Sequence, residues 1–346
     1  MNITLSQTAK RTLRALIALA LVAWLAHNVG VEAIMKKLAG ADVGLLLLAT
    51  LLLALDGFAK VRNWQLLLAA NVDDQPVPFK RVAIAFFAGG LIGAIVPSSA
   101  STDACRVVLA TRALGGHTPA CAATIFTLNA LGWFTGSLIG LAGFGILAAT
   151  GRLPVLLEPV ALVFVATLAL LPLAYGLLAS RRTSVIRRVE RIAGRWPRVG
   201  TTLAKFVDAL LVFEHAHMRF PVFLLVAGLG LLAQTGMFAL TAAALGIELP
   251  FAVWMMLVPL TRIVALIPVS IADFGLIQAA HVSVLSLFGV PAWQSFTLST
   301  LFAIEGLLIH STLGTTAFLL GGRDPDRASL GAPAIPPPPR NSASTG

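Results

Sequence analysis

Ile95-Val96-Pro97-Ser98-Ser99-Ala100-Ser101-Thr102-Asp103 and Leu266-Ile267-Pro268-Val269-Ser270-Ile271-Ala272-Asp273 decide the fold of this chain. Each is a Pro-Ser turn with a carboxylate, set inside an apolar stretch. Proline and a run of small hydroxyl residues break a helix. At membrane depth the bare backbone groups this leaves are tolerated only where protein or a water-filled cavity surrounds them. Two such breaks, one in each half of a chain, are the sequence pointer to a transporter's binding site. The plainer alternative is two unrelated proline kinks in a polytopic protein.

Outward from the breaks, the chain is 58% apolar and 12% charged, with a mean hydropathy of +0.89. Soluble domains carry about 25% charged residues, so an integral membrane protein is expected. Full spans are read at 13–29, 43–60, 118–149, 159–179, 219–244 and 292–320. Between them lie two broken pairs, 81–96 with 103–113 and 251–267 with 275–289. These half-segments reach only about 16–26 Å, short of a hydrocarbon core of about 30 Å, and read as re-entrant hairpins. The expected fold is therefore all-α and polytopic, with six full spans and two Pro-broken re-entrant hairpins in an inverted repeat. The repeat units run at about 43–149 and 219–320 within a membrane domain of 1–320. The Pro- and Ser-rich stretch 321–346 reads as a disordered cytoplasmic tail.

The net charge of +10 does not point to nucleic acid, because the basic residues fall in short loops, as orientation signals do. Lys10, Arg11, Arg14, Lys60, Arg62, Lys80, Arg81, Arg112, the cluster Arg181 to Lys205, Arg219, Arg323 and Arg327 fall on one side, with Lys36, Lys37 and Arg152 on the other. That imbalance puts both termini in the cytoplasm. Within the basic cluster, Val185, Ile186, Val189 and Ile192 have helical spacing. They read either as an amphipathic helix on anionic headgroups or as a solvated loop. Trp24, Trp64, Trp196 and Trp293 fall near segment ends, as interfacial anchors do.

Asp103 and Arg106 are spaced i, i+3 at the start of a half-helix and share a face. They read either as a self-neutralised pair that holds the break open or as part of a phosphate site. A helix N-terminus and an arginine both favour phosphate oxygens. Arg262, two turns before Pro268, is a charge deep in an apolar helix and needs a partner. Asp273, Glu305 and a lipid phosphate are the candidates. Gln278 and His281 follow on the returning half-helix, and His310 lies on the last span. Asp56 is expected to pair with Lys60 at i+4. The substrate-binding set is thus Arg106, Arg262, Asp103, Asp273, Ser98, Ser270 and Gln278. Cys105 and Cys121 lack metal-ligand spacing, and Glu214-His215-Ala216-His217 has too few ligands for a metal site. Neither metal nor cofactor is expected, and no phosphate loop, metalloprotease helix or serine elbow suggests an enzyme.

The two breaks resemble the lysylphosphatidylglycerol synthase transmembrane-domain family, also called flippase-like proteins. Val96-Pro97 through Asp103-Ala104-Cys105-Arg106 is similar to its Leu-Pro, Gly-Asp and Arg pattern. Ile267-Pro268-Val269-Ser270-Ile271-Ala272-Asp273-Phe274-Gly275, with Phe288-Gly289-Val290 after it, is similar to its Pro-Ile-Ser-Ile-Ala-Gly-Trp-Gly pattern. The departures are Thr102 and Asp273 where the family has glycine, Ile277-Gln278 in place of Arg-Glu, and Leu128-Asn129 in place of Asp-Arg. The resemblance implies a lipid transporter of the bacterial inner membrane, moving an anionic or polyprenyl-phosphate-linked lipid. The lost charge pairs suit a second reading, a non-transporting scaffold among lipid or envelope-glycan synthesis proteins. With only a tail after the membrane module, aminoacylation of lipid is not expected.

Overall fold

The computed structural model describes residues 39–72, 76–95, 99–193, 197–211, 219–265 and 276–321, and among these the chain is all-helical. The side chain of Asp42 accepts a hydrogen bond from Leu45 N (3.1 Å) and opens α1, Val43–Ala69. The first broken pair follows as α2, Phe79–Ile95, and α3, Ser99–Ala113. Gly115 and Gly116, at φ 73° and 113°, turn the chain into α4, Thr118–Ala149, which carries proline in its first turn. A 3₁₀ turn, Val155–Leu157, leads to α5, Glu158–Ser180. Then come α6, Arg182–Ala193, and α7, Pro197–Leu210. The second unit is α8, Phe220–Ala244; α9, Phe251–Val264; α10, Leu276–Ser286; and α11, Ala292–Gly321.

Five of the expected spans are helices long and apolar enough to cross a membrane: Val43–Ala69, Thr118–Ala149, Val155–Ser180, Phe220–Ala244 and Ala292–Ala317. The expected span 13–29 and the tail 321–346 lie outside the described residues, apart from Gly321. With 14 and 11 residues, α9 and α10 are about 21 and 16 Å long, too short to cross. The span expected at 43–60 is longer than that. Continuing to Ala69, α1 places Lys60 and Arg62 within the helix and not in a cytoplasmic loop. Lys60 is accommodated there because Asp56 stands one turn away.

Packing between elements is unchanged when the two units are exchanged. Helix α1 packs on α8. The first arm of each broken pair packs on its own second arm (α2 on α3, α9 on α10) and on the last helix of the other unit (α2 on α11, α9 on α4). The second arms, α3 and α10, pack on the last helix of their own unit. Two apolar cores follow the same exchange. One joins Val61, Trp64, Leu67 and Leu68 of α1 to Phe86, Ala110, Cys121 and Ile125. The other joins Leu231, Met237 and Phe238 of α8 to Trp254, Leu257, Leu285, Leu298 and Phe302.

Helices α1 and α8 run antiparallel. Asp42 N donates to Ala244 O (3.1 Å) and Asn63 Nδ2 to Phe223 O (3.0 Å), so rising numbers on one helix meet falling numbers on the other. Small residues let the backbones approach. A Cβ on Gly143 of α4 would stand 2.6 Å from Ala252 O and 2.7 Å from Met255 Cβ of α9. One on Gly314 of α11 would stand 2.6 Å from Leu91 Cβ of α2.

Helix α5 turns Leu162, Leu170 and Leu173 outward, as a lipid-facing helix does, and inserts buried Phe164 against Gly140. Helices α6 and α7 pack together, bury Val189 and Val207, and are tied by an ion pair between Arg182 and Asp208. The amphipathic stretch is thus two helices. Trp64 is no interfacial anchor. It is fully buried and its Nε1 donates to Thr124 Oγ1 (3.1 Å), because α1 continues past it. Trp293 is half-buried at the start of α11, while Trp24 and Trp196 lie outside the described residues.

Candidate functional site

A cavity of about 820 Å³ lies between the two cores, with walls drawn from both units. Arg106, Asp103, Arg262 and Gln278 all line it; Ser98, Ser270 and Asp273 lie outside the described residues. So does the Glu214–His217 motif.

Helix α3 brings Arg106 to the cavity because α2 has glycine where they cross. A Cβ at Gly89 would stand 2.8 Å from Arg106 Cα. Arg106 Nη1 donates to Asp103 Oδ1 at 3.1 Å and Nε to Phe86 O at 3.3 Å, and the guanidinium lies 3.9 Å from the centre of the Phe86 ring. The other carboxylate oxygen of Asp103 accepts from Asn129 Nδ2 at 2.7 Å. The expected Asp103–Arg106 pair is therefore formed. At the position read as replacing a charged residue of the family pattern, Asn129 holds the same carboxylate with a neutral donor. His310 completes this corner. Its Cδ2 would lie 3.0 Å, and Arg106 Nη2 3.5 Å, from a Cβ on Gly90. His310 Nδ1 donates to Gly306 O (2.7 Å), since a carbonyl only accepts.

The second charged centre was legible only in part. Asp56, midway along α1 and 3% exposed, accepts from Lys60 at 2.5 Å, as its i, i+4 spacing predicts. Its other oxygen lies 4.0 Å from Arg262 Nη2, which also donates to Gln234 Oε1 of α8. Among the described residues, then, Arg262 meets Asp56 and Gln234. Glu305, one of its candidate partners, is engaged elsewhere, with Thr241 Oγ1 at 2.9 and 3.1 Å from its two oxygens. The expected Arg262–Asp273 contact cannot be located because Asp273 lies outside the described residues. Reading Asp56 as a local pair near a loop hid its role. Its signal was a carboxylate in the middle of an apolar run, which is functional by default.

Three cations, Lys60, Arg106 and Arg262, thus face two carboxylates, Asp56 and Asp103, around one cavity. Among the described residues each carboxylate is matched, and one positive charge is left in excess. The same cavity is also lined by the neutral polar side chains of Gln278, His281, Ser299 and Thr261.

A polytopic helical membrane protein with a polar, cation-rich cavity between two exchange-related units is the class these features define. The chain belongs to the family of the lysylphosphatidylglycerol synthase TM region, whose model matches residues 11–314. No curated protein matches the chain, and neither does any solved structure.

Proposed function

We propose that this protein is a flippase-type transporter that moves an anionic or polyprenyl-phosphate-linked lipid across the bacterial inner membrane. Both termini would lie in the cytoplasm, and the tail beyond 320 would stay disordered. The two broken pairs, α2–α3 and α9–α10, would be re-entrant hairpins of an inverted repeat covering about 43–149 and 219–320. The exchange of packing partners and the antiparallel α1–α8 contact support that arrangement. In inverted-repeat transporters the site lies near the midplane, at the repeat interface, and opens alternately to either side.

One observation carries the proposal. Among the described residues, the cavity wall holds one more cation than carboxylates. An unmatched charge at membrane depth is costly, and a bound phosphate would offset it. Arg262 and Arg106 would meet the phosphate, with Ser98 and Ser270 at the mouths of the breaks. Asp103 and Asp56 hold the cations in place, and Asp273 would balance or gate the second break. No chemistry is assigned to the site.

The test is the purified full chain in liposomes that carry acyl-labelled phosphatidylglycerol, read by dithionite quenching. Transport predicts quenching of the inner-leaflet label, lost in Arg262→Gln. A folded protein that flips neither this lipid nor a labelled polyprenyl phosphate would support the scaffold reading, in which the chain serves a lipid-synthesis complex without transport.

A further inference from the structure

Glu305 stands midway along α11 and is 4% exposed, outside the lining of the cavity. Asp56 and Asp103 each meet a cation, whereas Glu305 meets none among the described residues. Its partner there is Thr241 on α8, fully buried, whose Oγ1 lies 2.9 Å from one carboxyl oxygen and 3.1 Å from the other. None of the ionisable groups on the helices packed against α11 reaches it. Helix α8 carries no such group. On α10 there is His281, engaged with Ser299. On α1, Asp56 pairs with Lys60, and Arg62 with Gln65. On α2, Lys80 and Arg81 lie in the first turn, where Arg81 donates to Ala113 O. His310, on α11 itself, donates to Gly306 O, and Arg262 of α9 meets Asp56 and Gln234.

An ionised carboxylate at this depth, with no cation beside it, is far costlier than the neutral acid. The geometry suits the acid. One hydroxyl has a single proton to give and cannot fully serve two carboxylate oxygens. A carboxylic acid donates its own proton to Oγ1 and accepts the hydroxyl proton on its other oxygen, which closes the pair. Packing alone does not ask for glutamate, because glutamine would make the same two bonds without an exchangeable proton. A metal cation fits poorly. Two residues offer three oxygens where hard cations take six or more, and no metal-holding cluster exists among the described residues. Phe302 and Phe238, one turn before Glu305 and Thr241 on their helices, line the cavity, with 3.8 Å between ring centres. The carboxyl group is thus one helical turn from the cavity wall.

We propose that Glu305 is a proton-binding site, loaded from water on one side of the membrane and emptied to the other, so that lipid movement is coupled to the proton gradient. The O–H bond formed on loading is the one broken on release, and the proton is the species exchanged. Loading and release need the buried pair to open, which the alternating exposure of the repeat interface supplies. The coupling rests on the transport reading; the proton site itself does not.

The experiment places the full chain in liposomes and records infrared difference spectra between acidic and alkaline buffer, in potassium salts and again in sodium salts. The expected result is a carboxylic-acid C=O band that disappears at alkaline pH, is absent in Glu305→Gln and moves in Thr241→Val. Thr241→Val keeps the carboxyl group, so it identifies the band even if Glu305→Gln does not fold. The same liposomes then carry labelled phosphatidylglycerol or labelled polyprenyl phosphate, with the membrane potential clamped. A gradient of about one pH unit should displace the leaflet ratio of the label by up to about tenfold, the limit for one proton per lipid. Either sign supports coupling and shows whether lipid and proton travel together or in exchange. In Glu305→Gln the displacement should vanish. An acid band that never titrates, or none that answers to the variants, overturns the proposal. So does a titration that appears only with sodium, or a displacement that survives in Glu305→Gln. If the unaltered chain moves neither lipid at any pH, the transport reading fails and the coupling falls with it, while the infrared band still decides the proton site.

Discussion

Asp56 is the carboxylate of the cavity that faces two cations. It is buried midway along a membrane helix, with Lys60 at 2.5 Å and Arg262 at 4.0 Å. Removing its charge strands both cations. Asp56→Asn should therefore destabilise the protein by roughly 3–5 kcal/mol in a chemical unfolding titration in micelles, and Asp56→Asn with Lys60→Met should recover part of that loss. A double variant no more stable than the single would show that the pair is not coupled.

Arg106 poses a different question, because its partner Asp103 is also held by Asn129. If Arg106 serves only Asp103, then Arg106→Gln with Asp103→Asn should restore the activity lost in Arg106→Gln. If Arg106 binds phosphate, both variants should lose lipid binding alike, provided that both remain folded by the unfolding titration. The second outcome is expected.

At the scale of elements, the contacts that place the cavity are glycine crossings. Gly143 and Gly145 lie two residues apart on α4, yet only Gly143 has α9 against it. A Cβ on Gly145 meets nothing within 4 Å. Gly143→Ala would force α4 and α9 apart and should cost about 1–3 kcal/mol. Gly145→Ala should be neutral, or stabilising by up to ~1 kcal/mol, since alanine is the better helix former. Thermal denaturation of the two variants side by side checks the assignment, because equal melting shifts would mean that the α4–α9 crossing is loose.

The arms of the broken pairs belong to the same scale. Among the described residues, helices run to Ile95 and Val264 and from Ser99 and Leu276, close to the bounds expected from the sequence, while the two prolines lie outside the described residues. Proline lacks an N–H and clashes with the preceding turn, so its effect needs no tertiary partner to be read.

At the scale of the whole molecule, the proposed inverted arrangement makes a directional prediction. With Cys105 and Cys121 replaced by serine, Ser98→Cys should react with a membrane-impermeant thiol reagent from the cytoplasmic side and Ser270→Cys from the outside. Labelling of both from one face would reject the inverted repeat. Preincubation with an anionic lipid that fills the cavity should slow both reactions.

The amino-acid sequence alone determined the membrane class, five of the six expected spans, the helices that flank the two prolines, and the pairs Asp103–Arg106 and Asp56–Lys60. Composition, length and proline act locally, and partners at i+3 or i+4 meet on any helix. Tertiary structure alone decided that Asp56 faces Arg262, that Asn129 holds Asp103, that Glu305 turns to Thr241, and that Trp64 is core. The physical reason lies in the solvent. Lipid is as apolar as the protein interior, so α1, α4, α8 and α11 are hydrophobic all round and carry no stripe saying which face turns inward. Only the packing of α1 on α8, and of each broken pair on the opposite unit, selects those faces and brings the scattered charges to one cavity.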